Sequence, residues 1–124
     1  MIMFSTFKIG LSNIKIESYS PKIIEKIMSK QFIVLEGNYP IDKEIYIYKK
    51  INIFKTRSKY ADYARKHSEN WTIHIYHDVV KGLIIYSKCE NKYIIVGQKD
   101  FDCICLFKAL ILKIYSDQLC ESSI

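Results

Sequence analysis

The stretch FDCICLFKALILKIYSDQL, residues 101–119, limits what this chain can fold into more than any other. It is long enough for about five helical turns at 3.6 residues each. At about 100° per residue, Asp102, Lys113, Ser116 and Asp117 gather on one narrow stripe, and Lys108 stands apart from them. Nearly every other position is apolar, including Leu106, Phe107, Leu110, Ile111, Leu112 and Ile114. A helix apolar around most of its circumference has to be covered on most sides. Asp100 suits the N-cap, and Asp102 in the first turn suits the positive end of the helix dipole. The two lysines break up the apolar runs and argue against a membrane span, which needs about 20 mainly apolar residues. The stretch predicts a core helix packed on a sheet.

The remainder of the 124 residues supplies that sheet. Phe7, Ile9 and Leu11 alternate, then Ile14 and Ile16 alternate in the opposite phase, which fits either a hairpin turning at Ser12-Asn13 or one bulged strand. Ser20-Pro21 opens a helix to about Lys30, with Ile23, Ile24, Ile27 and Met28 on one face and Lys22, Glu25, Lys26 and Ser29 toward water. Residues 32–35 form a short apolar strand. In IYIYKKINIF, residues 45–54, Ile45, Ile47, Ile51 and Ile53 share one parity, and Tyr46, Tyr48 and Lys50 take the wetter one. Residues 56–68 suit a short helix or a basic loop equally. Three strand signals follow, at residues 71–76, 83–86 and 93–96, spaced as an antiparallel meander, with Lys81-Gly82 closing a loop. Gly97 and Asp100 lead into the long helix. The expected fold is α+β: a single domain over residues 1–124, an antiparallel sheet with the long C-terminal core helix and a second amphipathic helix on one face.

Chemistry is harder to find. The cysteines are Cys89, Cys103, Cys105 and Cys120, without a C-x-x-C pair, and Cys103 and Cys105 point apart on a helix. Buried thiols in a reducing cytoplasm are the expectation, and the N-terminus shows no signal peptide pattern. His74 and His77 lie in a strand pattern that sends them to opposite faces, so no metal site is expected. There is no G-x-S-x-G elbow, no G-x-x-x-x-G-K-[ST] loop and no G-x-G-x-x-G. The four glycines, Gly10, Gly37, Gly82 and Gly97, are scattered rather than gathered into a phosphate cradle. Nucleotide chemistry through those motifs is excluded, no cofactor is expected, and the reading leans away from an enzyme.

Two surfaces remain as candidates for binding. Tyr46 and Tyr48, on the open face of their strand, would dock a protein or peptide. Lys50, Arg57, Lys59, Arg65 and Lys66, with Tyr60 and Tyr63 among them and Asp62 as the opposing charge, would set lysines and arginines on phosphate and tyrosines on bases. The net charge of +6 permits an anionic partner without demanding one. A protein or peptide partner is therefore the leading expectation, nucleic acid the alternative, a viral or phage inhibitor of a host factor a third, and self-association is left open.

The order of FKIGLSNIKIES near the start and WTIHIY, GLIIYS and YIIVGQKDFDCICLFKALILKIYSDQL toward the end resembles the region preceding the kinase core in HPr kinase-like proteins of peptide-modification gene clusters. The resemblance spans most of the chain and rests on hydrophobic pattern, with Asp100, Asp102 and the helix to Leu119 matching the lead-in to that core. The family's P-loop, catalytic carboxylates and His-Ala-Ser are absent, so no catalytic residue carries over. What the resemblance implies is a recognition or accessory module, or the N-terminal part of a longer kinase-like protein.

Overall fold

A computed structural model describes residues 3–28, 33–35, 37, 39–49, 71–87 and 91–122. Two stretches of the sequence with opposite phase become the two arms of a hairpin. β1 (Met3–Ile9) and β2 (Ser12–Ser18) pair antiparallel, with Phe7 opposite Ile14. The turn is Gly10-Leu11 rather than Ser12-Asn13, because Gly10 takes φ +61°. Glycine at the first central position with positive φ is the habit of a type II′ turn, whose twist suits a hairpin. The two-residue turn is what returns Phe7, Ile9, Ile14 and Ile16 to the same face, where all four are buried.

α1 (Pro21–Met28) starts with proline at its first position, as expected, and buries Ile23, Ile24 and Ile27 while Lys22, Glu25 and Lys26 stay exposed. β3 (Ile33–Val34) pairs with β1. β4 (Lys43–Lys49) is followed by residues 50–70, outside the described set; these include Ile51, Ile53 and the 56–68 segment. β5 (Trp71–His77), β6 (Lys81–Ser87) and β7 (Lys92–Gly97) form the expected antiparallel meander. Lys81 and Gly82 belong to β6 rather than to a loop. α2 (Asp100–Ser122) ends the described chain.

The seven strands run in the order β3-β1-β2-β4-β7-β6-β5. The sheet is mixed, not antiparallel: β4 pairs parallel with β2 on one side and with β7 on the other. Short loops enforce antiparallel pairing only within the hairpin and the meander. β4 is reached and left by long connections, and these permit a parallel entry. The α+β layering holds, with both helices against one face. That face carries Phe7, Ile9, Ile14, Ile16, Ile45, Ile47, Ile84, Tyr86, Tyr93 and Ile95 beneath the apolar sides of α1 and α2. The opposite face carries a second cluster of Leu83, Ile85, Ile94 and Val96. Strands buried on both faces read as unbroken apolar runs, which is why LIIY and YIIV do not alternate.

α2 departs from expectation in its cap and in its cover. The amide of Cys103 bonds the carbonyl of Lys99, so Lys99 occupies the N-cap and Asp100 the first helical position. Asp102 reaches back to the amide of Lys99 at 3.0 Å, the acidic half of a capping box, and also accepts the amide of Lys81 at 3.0 Å. It is therefore buried, although the sequence places it on a polar stripe. The core side of the helix is formed by Cys103, Leu106, Phe107, Leu110, Ile111 and Ile114.

Candidate functional site

β2, β4 and β7 all run in the same direction, and both helices start where these strands end. The chain leaves β2 toward one edge of the sheet, through α1 to β3, and leaves β4 toward the other, where β5 lies. In open α/β sheets a divergence of this kind marks the place where ligands settle. The side chains brought there are Tyr19, Lys49, Asp100 and Cys103, none of which the sequence singled out as a group.

These side chains are engaged with one another. The Tyr19 hydroxyl donates to Asp100 Oδ1, and Lys49 Nζ stands 3.6 Å from the same oxygen and 5.4 Å from the Tyr19 ring centre. The bond from Tyr19 holds the Asp100 carboxyl below its ordinary range, with Lys49 adding to the effect. Burial, with the same bond second, raises the Tyr19 phenol above its ordinary value. Cys103 Sγ donates to the carbonyl of Tyr48 at 3.5 Å, and burial pushes its thiol up to about 11. A depressed carboxylate is a weak base, and a neutral thiol is a poor nucleophile. The arrangement latches the ends of β2 and β4 to the start of α2.

At the other end of the sheet, His74, Tyr86 and Tyr93 form a stacked ladder on the helix side, with centroids 5.5 and 6.0 Å apart. Lys113 stands 4.9 Å over Tyr86, and Lys43 5.9 Å over Tyr93. His74 is thus a cross-strand packing residue. Among the described residues, no three His, Cys, Asp or Glu side chains gather as a metal site, and no helix is long and apolar enough to cross a membrane.

Of the residues expected to bind, Tyr46 and Tyr48 lie on the second face, half-buried against the Leu83, Ile85, Ile94 and Val96 cluster. Tyr46 donates to Glu44 at 2.7 Å and sits 5.1 Å beneath Lys92. Their face is more closed than the strand pattern alone suggests. Lys50, Arg57, Lys59, Tyr60, Tyr63, Arg65 and Lys66 lie outside the described residues.

Among the described residues, the longest row of exposed apolar side chains belongs to α2. Phe101 is 58% exposed, Leu112 70%, Tyr115 37% and Leu119 70%, with Ala109 exposed beside them. Together with Cys105 and Lys108 they recur every three or four residues, the spacing of one helix face. This stripe lies roughly 90° around the helix from the polar stripe that the sequence suggests for water. Lys113, on that polar stripe, is spent on the Tyr86 ring and on Asp117 at 3.4 Å. The 4-3-4-3-4 spacing from Phe101 to Leu119 is the sequence signal that would have found the face.

Comparison with protein-family models, curated proteins and solved structures gives no match to this chain.

Proposed function

We propose that this chain is a non-catalytic protein-binding module that docks its partner on the solvent-facing stripe of α2. The observation that carries the reading is the contrast between the two helices. The outward face of α1 is Lys22, Glu25 and Lys26. The exposed residues of α2 are charged only at Lys108 and Asp117, among Phe101, Ala109, Leu112, Tyr115, Ser116, Leu119 and Cys120, with Cys105 half-buried between them. Scattered exposed apolar side chains are ordinary, but a continuous row along one helix is a helix-docking pattern. Tyr46 and Tyr48, half-buried and tied to their own strand neighbours, offer less free surface. The quiet chemistry at the strand ends fits a binding role, and so does the accessory position implied by the HPr kinase-like resemblance.

The test is site-specific photo-cross-linking in living cells expressing the full chain. A photoreactive residue in place of Leu112 is expected to yield discrete protein adducts, and one in place of Lys22 to yield none. The absence of adducts at position 112 would remove the docking reading.

A further inference from the structure

We infer that the occupant of this stripe is a second copy of the chain, packed with its α2 antiparallel to the first about a twofold axis level with residue 110; this rests on the docking reading above. The stripe is complementary to itself in that orientation. Phe101 of one copy meets Leu119 of the other, Cys105 meets Tyr115, and Lys108 lays its aliphatic stem over Leu112 with its ammonium free to reach the rim. An aromatic ring then faces an aliphatic side chain at both ends, and Ala109 near the middle allows close approach of the backbones. A parallel pairing would instead stack Lys108 on Lys108 and Leu119 on Leu119, wasting the fit and opposing like charges.

Size decides how much of the surface takes part. From Phe101 to Leu119 the stripe is about 27 Å long and about 10 Å wide. That is well short of the ~800 Å² per partner of a standard stable interface. Two turns flank the helix and extend it. Leu11, 81% exposed, lies in the β1–β2 turn, whose amide bonds Gln118 Oε1 at 3.2 Å. Val79, 80% exposed, lies in the β5–β6 turn, which Asp102 ties to the start of α2 through the Lys81 amide. The two turns stand on opposite flanks of α2, so antiparallel pairing sets the Val79 side chains of both copies along one edge of the contact and their Leu11 side chains along the other. Even so extended the contact is modest, so the dimer forms reversibly with concentration. Each copy carries +6, so added salt screens repulsion between copies and strengthens the pairing.

Sedimentation equilibrium of the full chain, from micromolar to about millimolar, measures this. The mass is expected to rise from one chain to two, at lower concentration in high salt. Leu112→Lys and Leu119→Glu should each hold the mass at one chain throughout, with unchanged circular dichroism. In the Tyr115→Cys variant, oxidation should join position 105 of one copy to position 115 of the other; links of 105 to 105 would overturn the antiparallel arrangement. A wild-type chain that stays single at millimolar concentration, or a dimer that survives both charged substitutions, overturns the self-pairing. The Leu112 photo-cross-link then separates the two readings: adducts of a mass other than twice the chain keep the docking surface, and no adducts remove it.

Discussion

Cys103 is fully buried at the first turn of α2, where its proton goes to the Tyr48 carbonyl. Its folded pKa of about 11 lies above the ordinary 9.0. Between those values the unfolded chain has released the proton and the folded chain still holds it. The stability contributed by the neutral thiol is therefore complete below pH 9 and is lost as pH climbs toward 11. At ~1.4 kcal/mol per pH unit the whole loss is of order 2–3 kcal/mol. Tyr19 and Tyr46, with phenols also raised, add losses only above their ordinary value of 10.0. Urea denaturation between pH 9 and 10 should show declining stability in the wild type and a nearly flat profile in Cys103→Ala, which starts lower because of its cavity. An equal slope in both would assign the decline elsewhere. Gly97 meets the same sulfur from below: a Cβ there would lie 2.5 Å from Cys103 Sγ and 2.7 Å from its backbone nitrogen. Gly97→Ala is expected to cost about 1–3 kcal/mol in chemical denaturation, because the helix backbone cannot yield as a flexible side chain would.

At the scale of the element, α2 presents two apolar sides with different consequences. Leu106 and Leu110 are 1% exposed, whereas Leu112 is 70% exposed. Truncating either of the first two to Ala should cost about 2–5 kcal/mol. Leu112→Ala, measured on dilute monomer, should fall within about ±0.5 kcal/mol. If Leu112→Ala were as costly as Leu106→Ala, the stripe would be part of the monomer's own core. The apolar character of residues 101–119 was legible in the sequence, but the cover it led one to expect on most sides is present on one only, and Phe101, Leu112 and Leu119 are exposed. Which sector would face the sheet was not legible. Periodicity counts polar residues as wet, yet Asp102 is consumed by two backbone amides and Lys113 by a ring and a carboxylate. Partners decide burial in such cases, and partners lie at long sequence distance.

For the whole molecule, the same limit explains the sheet. The β5–β6–β7 meander was readable because its loops are short, and the burial of Ile45 and Ile47 on one face of β4 followed from their parity. The parallel seating of β4 between β2 and β7 was not, because no local pattern records which distant strand a crossover returns to. The cluster at the strand ends was illegible for the same reason. Tyr19, Lys49 and Asp100 are far apart in the chain and meet only because three strands end together.

The contact between the two ends of the described chain bears on how it is made. Gln118, near the end of α2, accepts the Leu11 amide and donates to Ser12 and to the carbonyl of Ile9. The first hairpin is covered in part by α1 and has its turn fastened by the last helix, and β2 is bound through β4 to a strand translated some eighty residues later. On the ribosome, then, the N-terminal half emerges with an apolar face that α1 covers only in part. Non-local closure of this kind is slow and leaves apolar strands exposed while it waits. Emergence of residues 92–122, rather than of the first half, is the event that lets this fold close.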